Sequence, residues 1–208
     1  MSRPTTSDGS ETGRSQAPIA WIGLGGNRSA TIRQMQRALT RLALHPGIRL
    51  LAISPLYRTE PVGPIRHQPW FFNAVAILDY RHGPCSLLRL LQRIEADSGR
   101  DRQREIRWGP RPLDLDLLFF GSRRIRSKRL NLPHPRLHLR RFVLQPCADL
   151  APGWIHPVCG KTIDRLLDEV DDTARIIRLG RMGVDSLVIS RSRDPSYNRV
   201  DACATGWG

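Results

Sequence analysis

Asp114 and Asp116 stand one leucine apart in the stretch Arg107-Trp108-Gly109-Pro110-Arg111-Pro112-Leu113-Asp114-Leu115-Asp116-Leu117-Leu118. Strand alternation puts Leu113, Leu115 and Leu117 on one face and both carboxylates on the other. Two carboxylates at the start of a buried strand repel each other and resist desolvation, so they favour a proton or a cation between them. Acidic oxygen ligands on a rigid strand suit Mg²⁺, a hard ion that shares its coordination with phosphate oxygens. Upstream, Arg100, Arg102, Arg104, Arg107 and Arg111 crowd one loop, and guanidinium forks match phosphate oxygens. The combination reads as a metal–polyphosphate site. A bare Asp-Leu-Asp reads more simply as the solvent face of an edge strand paired with arginines. The Trp-Gly-Pro-Arg turn, which delivers Arg111 beside the aspartates, favours the site.

Other residues offer recognition chemistry. Asn73 is an amide inside the apolar run Pro69 to Leu78, where it needs hydrogen-bond partners and could read the edge of a heterocycle. Core packing is the plain reading of Phe71 and Phe72 beside it, and it is taken for Phe72. Gln92 and Glu95 lie one turn apart and read as a solvated helix face. His134 is held between two prolines.

The elements that must position these groups follow from pattern. Ile19 to Leu24 reads as a buried strand, and Gly25-Gly26-Asn27 as a tight turn, with Ser29 or Thr31 available as a helix cap. Apolar residues at 32, 35, 38, 39 and 42 predict an amphipathic helix over Ile32 to Leu44. Ile48 to Tyr57 reads as a second strand. Arg58 to Pro64 reads as an irregular loop because of its Pro and Gly content, and Pro69 to Leu78 as a third strand. Pro84 to Ser98 predicts a second helix that Gly99 stops. The aspartate strand comes next and is expected at the centre of the sheet. Two short strands follow as a hairpin around Ile125 and Leu132, then a loop and a short helix over Thr162 to Val170.

This β-α-β-β-α-β order predicts an α/β (α+β) ferredoxin-like sandwich with a mostly antiparallel sheet and helices on one face. Residues 1–17 and 173–208 are poor in large apolar residues and are expected to be disordered extensions around one domain over 18–172.

Apolar residues make up 40% of the 208, enough for an ordinary core, and the formal net charge is +14. That charge points to an anionic partner, either nucleic acid or a polyphosphate ligand. A nucleic-acid-binding sheet would carry exposed aromatics in an Arg/Lys-Gly-Phe motif, which is absent, and it leaves the aspartate pair unexplained. No apolar run is long enough to span a membrane. The four cysteines form no Cys-x-x-Cys pair and no secretory leader is seen, so reduced thiols and a cytoplasmic setting are expected. A zinc site from Cys147, His156 and Cys159 fits no usual spacing.

The Arg107 to Leu118 stretch resembles the signature of the 6-hydroxymethyl-7,8-dihydropterin pyrophosphokinase family of folate biosynthesis, and the resemblance extends in order from about Pro18 to Val170. It implies the same ferredoxin-like fold and transfer of pyrophosphate from ATP to the hydroxymethyl group of the reduced pterin, with two Mg²⁺ ions held by Asp114 and Asp116. It implies Arg100 and Arg111 as the catalytic arginines, and a pterin pocket formed by Thr59, Val62, Phe71, Asn73 and Trp108. ATP contacts are implied for Gln92, Glu95, Arg102, Trp108, Arg129, His134 and Arg140. Small-molecule substrates, no nucleic acid, no membrane and a monomer are the partners expected from it. Glu60, Val62 and Leu139 depart from residues common in the family, and the arginine loop is one residue longer than a common version.

Overall fold

The computed structural model describes residues 18–65, 67–101, 106 and 108–183. The strand and helix pattern becomes β1 (Ile19–Gly26), α1 (Thr31–Leu44), β2 (Ile48–Ile53), β3 (Pro55–Thr59), β4 (Phe71–Tyr80), α2 (Pro84–Asp97) and β5 (Asp114–Phe120). Then come β6 (Ile125–Arg126), β7 (Asn131–Leu132), α3 (Arg141–Ala148), α4 (Ile163–Glu169) and β8 (Ile176–Arg181). The main sheet runs β5-β1-β4-β3-β8, with β2 also on β4, and its strands pair antiparallel. This is the ferredoxin-like order.

The helices of the repeat pack on one face, as the pattern predicts. Ala20, Ile22 and Leu24 of β1 and Ala74, Ala76 and Leu78 of β4 meet Met35, Leu39 and Leu42 of α1 and Leu87 and Leu91 of α2 there. The opposite face is also covered. Trp21, Val75, Ile77 and Phe119 pack against Leu144 and Cys147 of α3 and Ile163 and Leu166 of α4. Helix α3 escapes sequence pattern because Pro146 lies inside it, where a proline ordinarily breaks a helix.

Several expectations are corrected. The aspartate strand β5 is not central; it lies at one end of the sheet order, because the last strand of this topology adds outside β1. It is nevertheless shielded, since His134 N donates to Leu118 O at 2.9 Å along its outer side. The single strand expected over Ile48 to Tyr57 is two. Ser54 interrupts it, accepting from Val75 N at 2.9 Å through its hydroxyl, and Pro55 has no N–H for the ladder. Arg58 and Thr59 are strand rather than loop, paired with Phe72 and Phe71. The segment after Asp172 is not wholly tail, because residues 176–181 form β8 on β3; residues 1–17 and 184–208 lie outside the described residues. Neither Ser29 nor Thr31 caps α1 as N-cap; that position is Ala30.

One bulge matters for the site. Trp21 pairs with Phe119 but Ile22 with Leu117, so Leu118 is an extra residue. The bulge lets Leu118 and Phe119 both join the core under α3 and α4. No helix among the described residues is long and apolar enough to cross a membrane.

Phe119 is fully buried and meets Trp21 edge-on at 5.6 Å between ring centroids. Phe119→Ala should cost about 3–5 kcal/mol. In urea melts the midpoint should fall with little change in m value.

Candidate active site

A cleft of about 280 Å³ opens where the C-terminal ends of β1 and β3 meet the beginnings of β4 and β5. Its lining includes Thr59, Val62, Phe71, Asn73, Trp108, Arg111, Asp114, Asp116 and Arg140 from the sequence-derived set. The backbone makes this possible at Gly25 and Gly26. A Cβ on Gly25 would sit 3.0 Å from Asn73 Oδ1, and one on Gly26 would sit 2.8 Å from Pro112 O. Glycine therefore lets the turn after β1 touch both the Asn73 amide and the entry to β5.

Asp114 and Asp116 are half-buried and face the cleft side of β5. Burial, then the charge of Asp114, raises the Asp116 pKa above the usual carboxylate range, while Arg140 and Arg111 pull the other way. Arg111 Nη1 lies 3.3 Å from Asp114 Oδ2. Arg100 bonds both Glu95 and Asp114 through one guanidinium nitrogen. Two carboxylates in one pocket, with the proton affinity of Asp116 raised, are a fit for a hard divalent ion, which would replace the proton.

Glu95 departs from its expected place. It is 1% exposed, and its Oε1 accepts from Leu115 N at 2.8 Å. It faces β5 from inside, not the cleft, because position 95 falls on the buried edge of α2. Gln92 is exposed on α2 and is not part of the cleft lining. Arg129 is exposed on the turn between β6 and β7, also off the cleft. His134 is half-buried beside Arg140 and Arg136, and burial first, then those two charges, lowers its pKa to about 4. Its ring is therefore neutral near pH 7. Arg102 lies outside the described residues.

The recognition groups are held by their own network. Asn73 Nδ2 donates to Thr59 Oγ1 at 2.8 Å. Trp108 adopts φ 71°, a left-handed conformation that costs a non-glycine residue about 1–3 kcal/mol. Its carbonyl accepts from Gln68 Nε2 at 3.0 Å. Its indole lies against Gly63 and beneath the Arg136 guanidinium at 4.7 Å.

Sequence reasoning missed Asn27, Gln68 and Arg136. Asn27 N donates to Arg111 O at 3.0 Å, and Arg111 N donates to Asn27 Oδ1 at 2.9 Å. Asn27 Nδ2 donates to Gln68 Oε1 and to Pro69 O, both at 3.0 Å. The Gly-Gly-Asn turn was the available signal, but the partners are 41 to 84 residues away.

A second cluster lies elsewhere. His138, His156 and Cys159 bring ligand atoms within 4.8 Å of one another, whereas Cys147, a member of the sequence trio that fitted no usual spacing, is buried on the core face of α3. His156 Nδ1 accepts from Val158 N at 3.2 Å and Cys159 N at 3.1 Å. The proton of the neutral ring is thus on Nε2, which leaves that atom no lone pair for a metal.

A family model described as 7,8-dihydro-6-hydroxymethylpterin-pyrophosphokinase matches residues 21–152. A 2-amino-4-hydroxy-6-hydroxymethyldihydropteridine pyrophosphokinase of Synechocystis sp. is 43% identical over 155 residues, covering 74% of this chain and 77% of the relative. One from Pseudomonas aeruginosa is 47% identical over 132 residues, 64% of this chain and 80% of the relative. Among solved structures, wild-type Plasmodium falciparum HPPK-DHPS superposes with a TM-score of 0.58 at 15% identity, over 74% of this chain and 43% of that one. At that identity the superposition speaks for the fold.

Two outcomes are expected. Glu95→Ala should cost about 3–5 kcal/mol, the usual loss when one partner of a buried ion pair is removed, with Glu95→Gln losing less because it keeps an acceptor for Leu115 N. Burial lowers the His156 pKa from 6.5 to about 4, so between those values the unfolded chain binds the extra proton and stability falls as pH falls. Melting temperatures across that range should drop, and His156→Asn should flatten the slope.

Proposed function

The chain belongs to the 7,8-dihydro-6-hydroxymethylpterin-pyrophosphokinase family, and from that premise we propose which residues of its cleft carry out the transfer. The reaction moves pyrophosphate from ATP to the hydroxymethyl oxygen of 6-hydroxymethyl-7,8-dihydropterin in folate biosynthesis and leaves AMP. The pterin oxygen forms a bond to the β-phosphorus. The bond from that phosphorus to the oxygen shared with the α-phosphate breaks, its electron pair stays with AMP, and the hydroxyl proton is lost.

The observation that carries the assignment is the half-buried aspartate pair facing a cleft beside Arg100, Arg111 and Arg140. Asp114 and Asp116 would hold Mg²⁺, taken as two ions. When bound, Mg²⁺ supplies neutralisation of phosphate charge and acidifies the attacking hydroxyl. Arg111 and Arg100 stand on the other side of Asp114 and stabilise charge on the transferred group. Arg140, at the start of α3, meets the phosphates, and neutral His134 beside it donates a hydrogen bond through Nε2.

The pterin is read by Asn73, whose Nδ2 is already committed to Thr59. Its Oδ1 is thereby oriented to accept from a ring N–H. Phe71 and Trp108 line the same cleft and offer aromatic faces to a flat heterocycle, with Val62 at the rim. Trp108 also screens the phosphates from water. Gln92 and Arg129 would meet the nucleotide from outside the cleft and Arg102 is taken as a further nucleotide contact, whereas Glu95 positions Arg100. The catalytic unit spans residues 18–183, acts as a monomer and works in the cytoplasm, where the free thiols Cys85, Cys147 and Cys159 stay reduced.

The test is AMP release from Mg-ATP with and without 6-hydroxymethyl-7,8-dihydropterin. AMP should form only with the pterin and be abolished in Asp114→Ala, Asp116→Ala and EDTA-treated samples. Arg100→Ala and Arg111→Ala should each slow turnover by about 10²–10³, with pterin affinity kept. Full activity in either aspartate variant would remove the metal assignment.

A further inference from the structure

Residues 171–183 lie beyond the span matched by the family model, yet they touch both walls of the cleft. Asp172 Oδ2 accepts from Arg141 N at 2.9 Å, the first residue of α3, and Asp172 Oδ1 accepts from Ala174 N at 3.1 Å. The N-cap of α3 is Arg140, which supplies no capping bond of its own. Asp172 therefore caps the helix from a distant segment, and its negative charge suits a helix start crowded by Arg136, Arg140 and Arg141.

Three residues on, the chain reaches the other wall. Glu60 N donates to Arg175 O at 3.0 Å, and Arg175 N donates back to Glu60 Oε2 at 3.0 Å. The Arg175 guanidinium then lies over Trp70 at 5.7 Å, with Arg58 over the same ring at 5.0 Å. β8 follows along β3, with Ile176 opposite Thr59, the residue that orients Asn73. At the far end Met182 is 7% exposed in the core between the sheet and α1, and Gln36 Nε2 donates to Gly183 O at 2.6 Å.

We propose that residues 171–183 are a strap that positions both substrate walls, through Asp172 the helix start bearing Arg140 and through the Arg175 backbone the Glu60 loop. Asp172 and Glu60 are positioning residues in this scheme. The effect on ATP rests on the reading of Arg140 as a phosphate contact.

The test uses the full chain. Asp172→Ala should raise the KM for Mg-ATP about five- to tenfold, the size of a lost helix cap, and leave the pterin KM unchanged. Asp172→Asn, which keeps a δ-oxygen as acceptor for Arg141 N, should restore most of it. Glu60→Ala should raise the pterin KM and leave that for Mg-ATP unchanged. Amide exchange over residues 141–144 should quicken in Asp172→Ala and much less in Asp172→Asn. Unchanged exchange there, or both KM values rising together in step with a lower melting temperature, overturns the strap. Arg140→Ala is the parallel control. If it leaves the KM for Mg-ATP unaltered, the phosphate reading of Arg140 fails, and the exchange and pterin arms still decide the strap.

Discussion

The structure turns on a like-charge pair that has been half removed from water. Asp114 and Asp116 sit on the same face of β5, and burial together with their mutual repulsion pushes Asp116 toward the protonated form. Such a pair persists only where counter-charge is built in. Here the counter-charge comes from three directions: Arg111 from the preceding turn, Arg100 from the chain just past α2, and Arg140 from the N-cap of α3. Each of those elements is held in turn. Glu95 grips both Arg100 and the β5 backbone, Asn27 clamps the Arg111 backbone, and Asp172 caps α3. The site is thus an excess of arginine around two carboxylates, a balance suited to a polyphosphate arriving with its metal.

The two sides of the cleft differ in how they are made. Around Asp114, the long flexible guanidiniums of Arg100 and Arg111 are fixed by ion pairs. Around Asn73, short groups are fixed by the sheet itself. Asn73 and Thr59 occupy paired strands β4 and β3, and their hydrogen bond commits one end of the Asn73 amide. Glycine at position 25 leaves the other end room. A rigid amide suits recognition of a planar heterocycle, because the pattern of donors and acceptors must be presented without rearrangement. Trp108 joins the sides: its carbonyl is tied to Gln68, which is tied to Asn27, which holds Arg111.

Both faces of the sheet are covered, and that second layer explains why the aspartate strand works at the sheet's end. With α3 and α4 packed over Trp21 and Phe119, an edge strand becomes as sheltered as a central one. The bulge at Leu118 switches side-chain parity, so the aspartates can face the cleft while the apolar residues after them fill both cores.

The β-α-β-β-α-β order, the two helices, the Gly99 stop and the aspartate strand all follow from local periodicity and turn chemistry, which need only neighbours in sequence. So does the chemistry of the Asp114/Asp116 pair, because two carboxylates on alternate strand positions must share a face. Tertiary structure alone decided the rest. The position of β5 depends on which strand β1 accepts. Glu95 and Gln92 looked equivalent by spacing, and only packing against β5 buried one and left the other in water. Asn27, Gln68 and Asp172 act on partners tens of residues away, and no local pattern marks an amide or a carboxylate whose hydrogen bond closes so long a loop. Ile176, Ile177 and Leu179 of β8 do not alternate with polar residues, and Arg178, Gly180 and Arg181 break the run, so no local pattern announces a strand. The segment becomes one because β3 offers an open edge and the core leaves a place for Met182.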